Sequence, residues 1–179
     1  KGNVTNVADV AYKIPKHWRY IKFSDYIQLI SGRDLNTSDF QDNLLAKIPY
    51  LTGASNFSNG FVSTSRSTNR PSVISYRGDL LITVKGTVGE LAFNCFDSAH
   101  IARQIMAIRV FIKEENLEFI RLFLKSEINN IQLKAQSMIP GISREVLLSI
   151  FIPIAPAPEQ VRIIKRVEQF YHLTGQLLQ

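Results

Sequence analysis

The stretch GDLLITVKGTVGELAF, residues 78–93, carries the strongest local fold signal in the chain. Leu80–Val84 is a short apolar run rich in residues that favour β-strands. Gly86–Gly89 then supplies the turn residues of a chain reversal, and Leu91–Phe93 resumes the apolar pattern. The stretch therefore predicts two short strands joined by a hairpin or another sharp reversal.

The sequence on both sides of this stretch predicts more strands. Between Ile48 and Ala107, short apolar runs alternate with loops rich in Gly, Asn, Ser and Thr, a pattern typical of β-structure. Residues 104–111 supply another strand. Apolar residues between Ile21 and Ile30 recur without a regular period and precede a turn at 31–34, which indicates a strand only weakly.

Helices are predicted on the C-terminal side of these strands. The first is indicated by apolar residues at every third or fourth position and by acidic residues in or near its first turn; these are Leu117, Ile120, Leu124, Ile128 and Ile131, with Glu114, Glu115 and Glu118. Ser143 is placed to cap a short helix through Leu148, and 150–154 reads as a strand. We expect the long helix to pack on the sheet.

A last helix is predicted after the segment Ala155–Pro158, because Pro158 is at a favoured helix-start position. Its apolar stripe, which Thr174 completes, consists of Ile164, Val167, Tyr171 and Leu178. The spacing is compatible with packing on its own domain and with packing on a partner helix. The division of the chain is then an N-terminal polar segment (1–13), a globular domain (14–157) and the start of a long helix (158–179).

Composition indicates a folded protein that is attracted to polyanions. Hydrophobic residues make up 45% and charged residues 20% of the 179 residues, and the formal net charge is +6. Cys95 is the single cysteine, so neither an intramolecular disulfide nor a cysteine-based zinc site can form, and we expect a cytoplasmic protein. No run of about 18 apolar residues occurs, which argues against a membrane span.

Catalytic patterns do not emerge from the sequence. An Asp/Asn-Pro-Pro-aromatic methyltransferase motif, a Gly-x-Gly cofactor loop and a phosphate-binding loop are all missing. Asp79 stands six residues before Lys85 as in one nuclease motif, but Thr83 occupies the place of the second metal-binding carboxylate. The histidines, His17, His100 and His172, have no ligand-like spacing. We therefore expect no catalytic and no metal-binding residues.

Polar donors in the loops suggest contact with nucleic acid. Arg pairs bidentately with guanine, Gln pairs with adenine, and Lys, Ser and Thr bind phosphates. The candidates for DNA binding are Arg66, Arg70, Lys85, Thr87, Arg103, Gln104, Ser137, Ser143 and Arg144. A Ser/Thr/Arg loop is also typical of ordinary solvated surface, and Gly86 and Gly89 can serve the turn alone. For each residue both interpretations stay open.

The order of several short motifs resembles that of type I restriction-modification specificity subunits. The motifs are Ile14-Pro15-x-x-Trp18, Gly78-Asp79-Leu80-Leu81-Ile82, Gly86-Thr87-Val88-Gly89, Ile142-Ser143 and Ile152-Pro153-Ile154-Ala155-Pro156 followed by Glu159-Gln160-x-x-Ile163. Together they span nearly the whole chain. Ala157 departs from the Pro-Pro-Leu that relatives often carry there.

The resemblance implies a mixed α+β fold: a globular target-recognition domain of short strands and flanking helices, followed by a long helix that pairs as a coiled coil. A full subunit of this family has two such domains, each of which reads half of a split double-stranded DNA site. It implies no catalysis and no cofactor in this chain, because modification subunits with S-adenosylmethionine and a restriction subunit with ATP and Mg²⁺ perform the chemistry. By the resemblance, the apolar stripe of the spacer helix is exposed and would pack against another spacer helix, of a second half or copy, and against those modification subunits. The residues expected in this packing are Ile164, Val167, Tyr171 and Leu178.

The resemblance marks no individual contact residue, and Lys85, Arg103 and Arg144 are the first choices because they lie at predicted turns or strand edges. Three alternatives stay open. They are the recognition domain of a fused restriction enzyme, a protein-interaction module without DNA preference, and a stand-alone nuclease, which the missing second carboxylate disfavours.

Overall fold

The computed structural model describes residues 13–111, 116–135 and 141–173. Several features discussed above lie outside these residues: most of the N-terminal polar segment, Glu114, Glu115, Ser137, Thr174 and Leu178. The described part contains thirteen strands, four α-helices and two short 3-10 helices, so the mixed α+β prediction is confirmed.

Most strands are short, as the alternation of apolar runs and polar loops predicts. They are β1 (Arg19–Lys22), β2 (Ile27–Ser31), β3 (Phe40–Gln41), β4 (Ile48–Leu51), β5 (Phe57–Ser58), β6 (Phe61–Val62), β7 (Ser67–Thr68), β8 (Ile74–Tyr76), β9 (Leu80–Thr83), β10 (Leu91–Phe93), β11 (Ser98–Ile101), β12 (Ile105–Val110) and β13 (Phe151–Ile154). The helices are α1 (Phe23–Tyr26), α2 (Leu117–Ala135), α3 (Arg144–Ser149) and α4 (Ala157–Leu173).

Strand β9 lies inside a six-stranded sheet of order β2-β12-β9-β10-β6-β5. Because successive side chains of a strand point to opposite faces, β9 contributes to two cores. Leu80 and Ile82 pack in a cluster with Leu124 of α2, whereas Leu81 packs with Ile101 on the other face. This burial on both faces explains why the sequence of β9 is continuously apolar rather than alternating.

The predicted reversal is confirmed. Strand β10 pairs antiparallel with β9, with Leu91 opposite Ile82. Gly86 and Gly89 both have positive φ, 72° and 94°, in the left-handed region that glycine tolerates best. The turn therefore depends on its glycines.

A second sheet, of order β3-β7-β4-β11-β8, covers the Leu81 face of the first. Strand β11 runs parallel to β4, with Ile101 opposite Leu51. Both side chains are fully buried in the cluster between the sheets. Helix α2 covers the opposite face of the six-stranded sheet, as predicted.

The single strand indicated between Ile21 and Ile30 is wrong in detail, because the one-turn helix α1 interrupts it. Phe23 and Tyr26 in that turn are both buried. A helical turn between two strands places its apolar side chains at a spacing that fits neither period, which explains the irregular pattern. The C-terminal elements were predicted more closely, since Ser143 caps α3 by accepting a hydrogen bond from the Val146 amide at 3.2 Å.

Helix α4 begins at Ala157, one residue before the predicted start, and packs on α2. Ile164 is buried in a cluster with Phe119 and Ala155. Val167 is half-buried, and the ring of Tyr171 lies 5.7 Å from the Lys125 ammonium nitrogen of α2.

The expectation of an exposed apolar stripe on α4 is thus corrected for Ile164, whose side chain is used within the domain. The reason is that α2 offers an apolar partner surface in the same chain, which includes Phe119 and Leu122. The exposed large apolar side chains of α4 lie elsewhere on the helix, at Val161, Phe170 and Leu173.

Candidate nucleic-acid interface

Several predicted residues meet at one end of the six-stranded sheet. There β2 and β9 end and β12 begins, because β12 pairs antiparallel with both neighbours. The β9–β10 turn carries Lys85 and Thr87, and the link from β11 to β12 carries Arg103 and Gln104; all four are exposed. The Val84 amide donates to the Gln104 carbonyl at 2.8 Å, which holds the two segments together.

The loop before α3 joins the same end of the sheet. The Ile142 amide donates to the Val84 carbonyl at 2.9 Å, and a side chain at Gly141 would lie 2.5 Å from that oxygen. This close approach places Ser143 and Arg144 beside the turn. We call the resulting surface the basic edge; it consists of Lys85, Thr87, Arg103, Gln104, Ser143 and Arg144.

Two members of the basic edge, Ser143 and Arg144, make structural contacts within the domain; the sequence predicted the first contact but not the second. The Ser143 hydroxyl is engaged within α3: it accepts from the Val146 amide as the cap, and its hydrogen bond with the Glu145 carboxylate contributes to lowering the pKa of Glu145. The Arg144 Nη1 donates to the Leu29 carbonyl at 2.6 Å, which anchors its guanidinium to β2. Lys85 and Arg103 are therefore the stronger candidates for direct contact.

The Gln104 side chain lies directly over Gly53. Its Oε1 is only 2.3 Å from the position that a Cβ atom would take at Gly53, so any larger residue would collide with it. The same oxygen lies 3.6 Å from the corresponding position at Gly86. Gln104 thus sits between the loop after β4 and the β9–β10 turn.

Beyond Gly53 the basic edge continues into a polar depression of about 560 Å³. Its lining consists of hydroxyl, amide and guanidinium groups, from Thr52, Ser55, Asn56, Ser63, Thr64, Ser65 and Arg66. Asn56 organises the depression: its Oδ1 accepts from the Thr52 amide at 2.7 Å, and its Nδ2 donates to the Ser63 carbonyl at 2.9 Å.

Of these lining residues, the sequence singled out Arg66 alone as a site residue. The Asn- and Ser-rich composition of 52–65 was a usable signal, but it indicated turns rather than a binding surface.

The predicted arginines 66 and 70 flank β7 and differ in position. Arg66 lines the depression, and its guanidinium contacts Asp42 at 2.6 Å and stacks 5.4 Å from the centre of the Phe40 ring. Arg70 lies beyond the other end of β7 and contacts Asp39 at 3.1 Å. The structure therefore brings Arg66, but not Arg70, next to the basic edge.

Arg103 also pairs with an aspartate, which the sequence analysis missed. Its Nε lies 2.8 Å from Asp34 Oδ2. Asp34 and Asp39 lie between β2 and β3, Asp42 directly follows β3, and each contacts one predicted arginine. Carboxylates far away in sequence from their arginines give no local signal, which explains the omission.

Two buried residues, His100 and Tyr50, hold the loops beside the basic edge in place. Both Ser72 and Val73 donate their amides to Nδ1 of His100, at 3.3 and 3.2 Å, and its Nε2 donates to the Arg33 carbonyl at 2.8 Å. Burial lowers the pKa of His100, so the ring stays neutral as an acceptor at Nδ1 requires. Burial raises the pKa of Tyr50, whose hydroxyl accepts from the Leu35 amide at 3.3 Å.

Asp79 has a structural role. Its carboxylate is 3% exposed and accepts from Arg109 Nε at 2.8 Å and Nη2 at 2.7 Å. The two hydrogen bonds from Arg109 to Asp79 raise the pKa of Arg109, and Asp79 also accepts from the Tyr76 amide at 2.8 Å. A carboxylate already saturated in this way is a poor metal ligand.

Among residues 13–111, 116–135 and 141–173, no group of three or more His, Cys, Asp or Glu side chains is arranged to hold a metal ion. In the same residues no helix is long and apolar enough to cross a membrane.

Solved structures share this arrangement of sheets and helices. The HsdS subunit from Thermoanaerobacter tengcongensis overlaps with a TM-score of 0.80 at 21% identity, over 93% of this chain and 40% of that one. A chain from a structure of complex assembly and conformational transition in the type I R-M system overlaps with a TM-score of 0.81 at 21% identity, over 94% of this chain and 42% of that one. The fold is therefore that of one part of an HsdS chain.

Residues 15–179 match the family model for the type I restriction modification DNA specificity domain, and the chain belongs to that family. The resemblance drawn from the short motifs is thereby confirmed.

Two relatives come from Methanocaldococcus jannaschii. The specificity subunit of the type I restriction enzyme MjaVIII is 23% identical over 167 residues, which cover 91% of this chain and 38% of that protein. A protein named provisionally as the MjaX specificity subunit is 26% identical over 159 residues, covering 87% of this chain and 37% of that protein. The chain thus spans less than half of either relative, and both are named as specificity subunits rather than as catalytic subunits.

Proposed function

We propose that this chain is a sequence-specific double-stranded DNA reader: a target-recognition domain that forms part of a type I specificity subunit and recognises one half of a bipartite site. The observation that carries the proposal is the basic edge. It brings Lys85, Arg103 and Gln104 together on loops at one end of the six-stranded sheet, beside a polar depression. Family membership supports the same assignment.

In this proposal, contacts divide between phosphates and bases. Lys85 and Thr87 are exposed on the β9–β10 turn and would bind phosphates, which set the register of the domain on DNA. Arg103 and Gln104 carry side chains able to read guanine and adenine edges in the major groove. Arg66 and the hydroxyl groups of the depression would extend the contact along the duplex.

We further propose that the chain itself is not an enzyme and takes no cofactor. Methyl transfer with S-adenosylmethionine, and cleavage with ATP and Mg²⁺, would belong to modification and restriction subunits in the cytoplasm. Helix α4 would be the first part of a spacer that forms a coiled coil with a second specificity half or another copy.

One observation favours a second candidate, a protein-interaction module. Phe170 and Leu173, three positions apart on one side of α4, are 62% and 85% exposed, although each is large and apolar. Such side chains on one helix are typical of a surface that a partner covers. This candidate predicts binding to partner proteins without any preference for a DNA sequence.

Selection from a randomised DNA pool separates the two candidates. The protein, together with its modification subunits, would be incubated with randomised duplexes at near-physiological salt, and the bound fraction sequenced. We expect enrichment of a short motif. Binding without enrichment would leave only electrostatic attraction, and a stable protein complex that binds no DNA would favour the interaction module.

A further inference from the structure

Asp34 is held in place from both sides of its own backbone. The preceding residue, Arg33, donates its amide to the Ile101 carbonyl at 3.0 Å, and its carbonyl accepts from His100. The following residue, Leu35, donates its amide to the Tyr50 hydroxyl at 3.3 Å. These contacts fix the Asp34 backbone against the second sheet, beside the end of β11.

Both carboxylate oxygens of Asp34 contact Arg103. Oδ1 accepts from the Arg103 amide at 3.1 Å, and Oδ2 lies 2.8 Å from Nε. The Asp34 carboxylate thus contacts both the backbone amide and the Nε of Arg103. This double contact restricts the rotation of the Arg103 side chain. The Arg103 side chain is nevertheless 68% exposed.

We propose that Asp34 is a positioning residue for DNA reading: it holds Arg103 with its terminal Nη1 and Nη2 directed outward, ready for a bidentate contact with a guanine of the target. The chemistry supports guanine because a guanidinium fork matches its O6 and N7 acceptors. The inference rests on the proposed DNA-reading function and adds a base class and a residue that orients the reader.

The contact between Asp34 and Arg103 could also be an ordinary surface ion pair without a role in DNA reading. The chain contains such a pair for comparison. Arg77 and Asp97 form an exposed pair of the same kind, with Nε 2.9 Å from a carboxylate oxygen, but at the opposite end of β11 from Arg103. Exposed pairs of this type contribute little to stability. Asp97 therefore controls for charge and for the contact between Nε and a carboxylate. It differs in its position relative to the basic edge and in the amide contact, since the Arg77 amide donates to the Asp97 backbone carbonyl and not to its carboxylate.

The test compares base selection by the wild type, Asp34→Ala, Arg103→Ala, the double variant and Asp97→Ala in the complex used for the pool experiment. We expect Asp34→Ala to lower discrimination at one G·C pair of the motif about tenfold, as loss of one bidentate contact would. Arg103→Ala should affect the same pair, and the double variant should be no worse than Arg103→Ala alone. Asp97→Ala should leave the motif unchanged.

Removing the Asp34 charge should also preserve or raise affinity for non-specific DNA, since one repulsive carboxylate is lost. A merely structural role would instead weaken binding at every position and lower the melting temperature. The positioning role is wrong if the Asp34→Ala variant selects the same motif as the wild type. It is also wrong if the Asp34→Ala and Arg103→Ala variants lose discrimination at different base pairs. If the wild type itself enriches no motif, the proposed function fails and this inference fails with it.

Discussion

At the scale of single residues, His100 links the second sheet to two loops. Its neutral ring accepts two amides at Nδ1, from residues 72 and 73, and donates to the Arg33 carbonyl, which lies next to Asp34. Protonation would place a hydrogen on Nδ1 and replace both accepted hydrogen bonds with repulsion. The ring is fully buried, and this burial lowers its pKa below the ordinary 6.5.

This lowered pKa predicts a pH dependence of stability with a definite sign. As pH falls below about 6.5, the unfolded chain takes up a proton at His100 while the folded protein does not, so the free energy of unfolding decreases. The slope is at most about 1.4 kcal/mol per pH unit. Urea unfolding at pH 7.5, 6.5 and 5.5 measures it, and His100→Asn should reduce the slope.

His172→Asn, in an exposed position on α4, is the matched control and should leave the slope as in the wild type. His17 is present in all three proteins, so its pairing with Glu159 cancels in the comparison. Equal slopes for the wild type and His100→Asn would contradict the assignment.

At the scale of elements, the β9–β10 turn is locked against helix α2. A Cβ atom at Gly89 would lie 2.3 Å from Ile128 Cγ1, and the Val88 carbonyl accepts from Gln132 Nε2 at 2.9 Å. The position of Lys85 and Thr87 therefore depends on helix packing as well as on turn geometry. Gly78 has a similar φ, 88°, but no atom within 4 Å of the corresponding position.

Replacing Gly78 and Gly89 by alanine separates the effect of backbone conformation from the effect of packing against α2. Gly78→Ala should cost about 1 kcal/mol of unfolding free energy through its backbone conformation alone. Gly89→Ala should cost a further 1–3 kcal/mol, roughly the usual penalty of overpacking. In an Ile128→Ala background, which removes the colliding atoms, the cost of Gly89→Ala should fall to about that of Gly78→Ala. Chemical denaturation of the four variants tests this, and an unchanged cost would show that helix contact is unimportant.

Elements whose signals are local were well predicted from the sequence. The β9–β10 reversal, the α2 periodicity and the Ser143 cap each depend on residues within a few positions of one another. The pairs of Asp34 with Arg103 and of Asp42 with Arg66 span 69 and 24 positions, and no local pattern encodes them. The same holds for Ile164, because the apolar spacing of a helix does not identify the surface that covers it.

At the scale of the whole molecule, the distribution of charge matters more than its sum. The formal net charge is +6, yet Arg66, Arg70 and Arg103 all lie beside aspartates. Their net contribution to long-range attraction is therefore reduced. Lys85 on the exposed turn is the better candidate for phosphate binding.

The salt dependence of DNA affinity tests this distribution. If Lys85 neutralises a phosphate, Lys85→Ala should lower the slope of log affinity against log salt by about 1 and weaken binding to all sequences alike. Arg77→Ala removes the same charge at the other end of β11, where its Asp97 partner lies, and should leave the slope near the wild-type value. Titrations between about 50 and 200 mM salt cover the range in which such slopes are measured. Equal slopes for both variants would mean that total charge, and not the basic edge, governs the attraction to DNA.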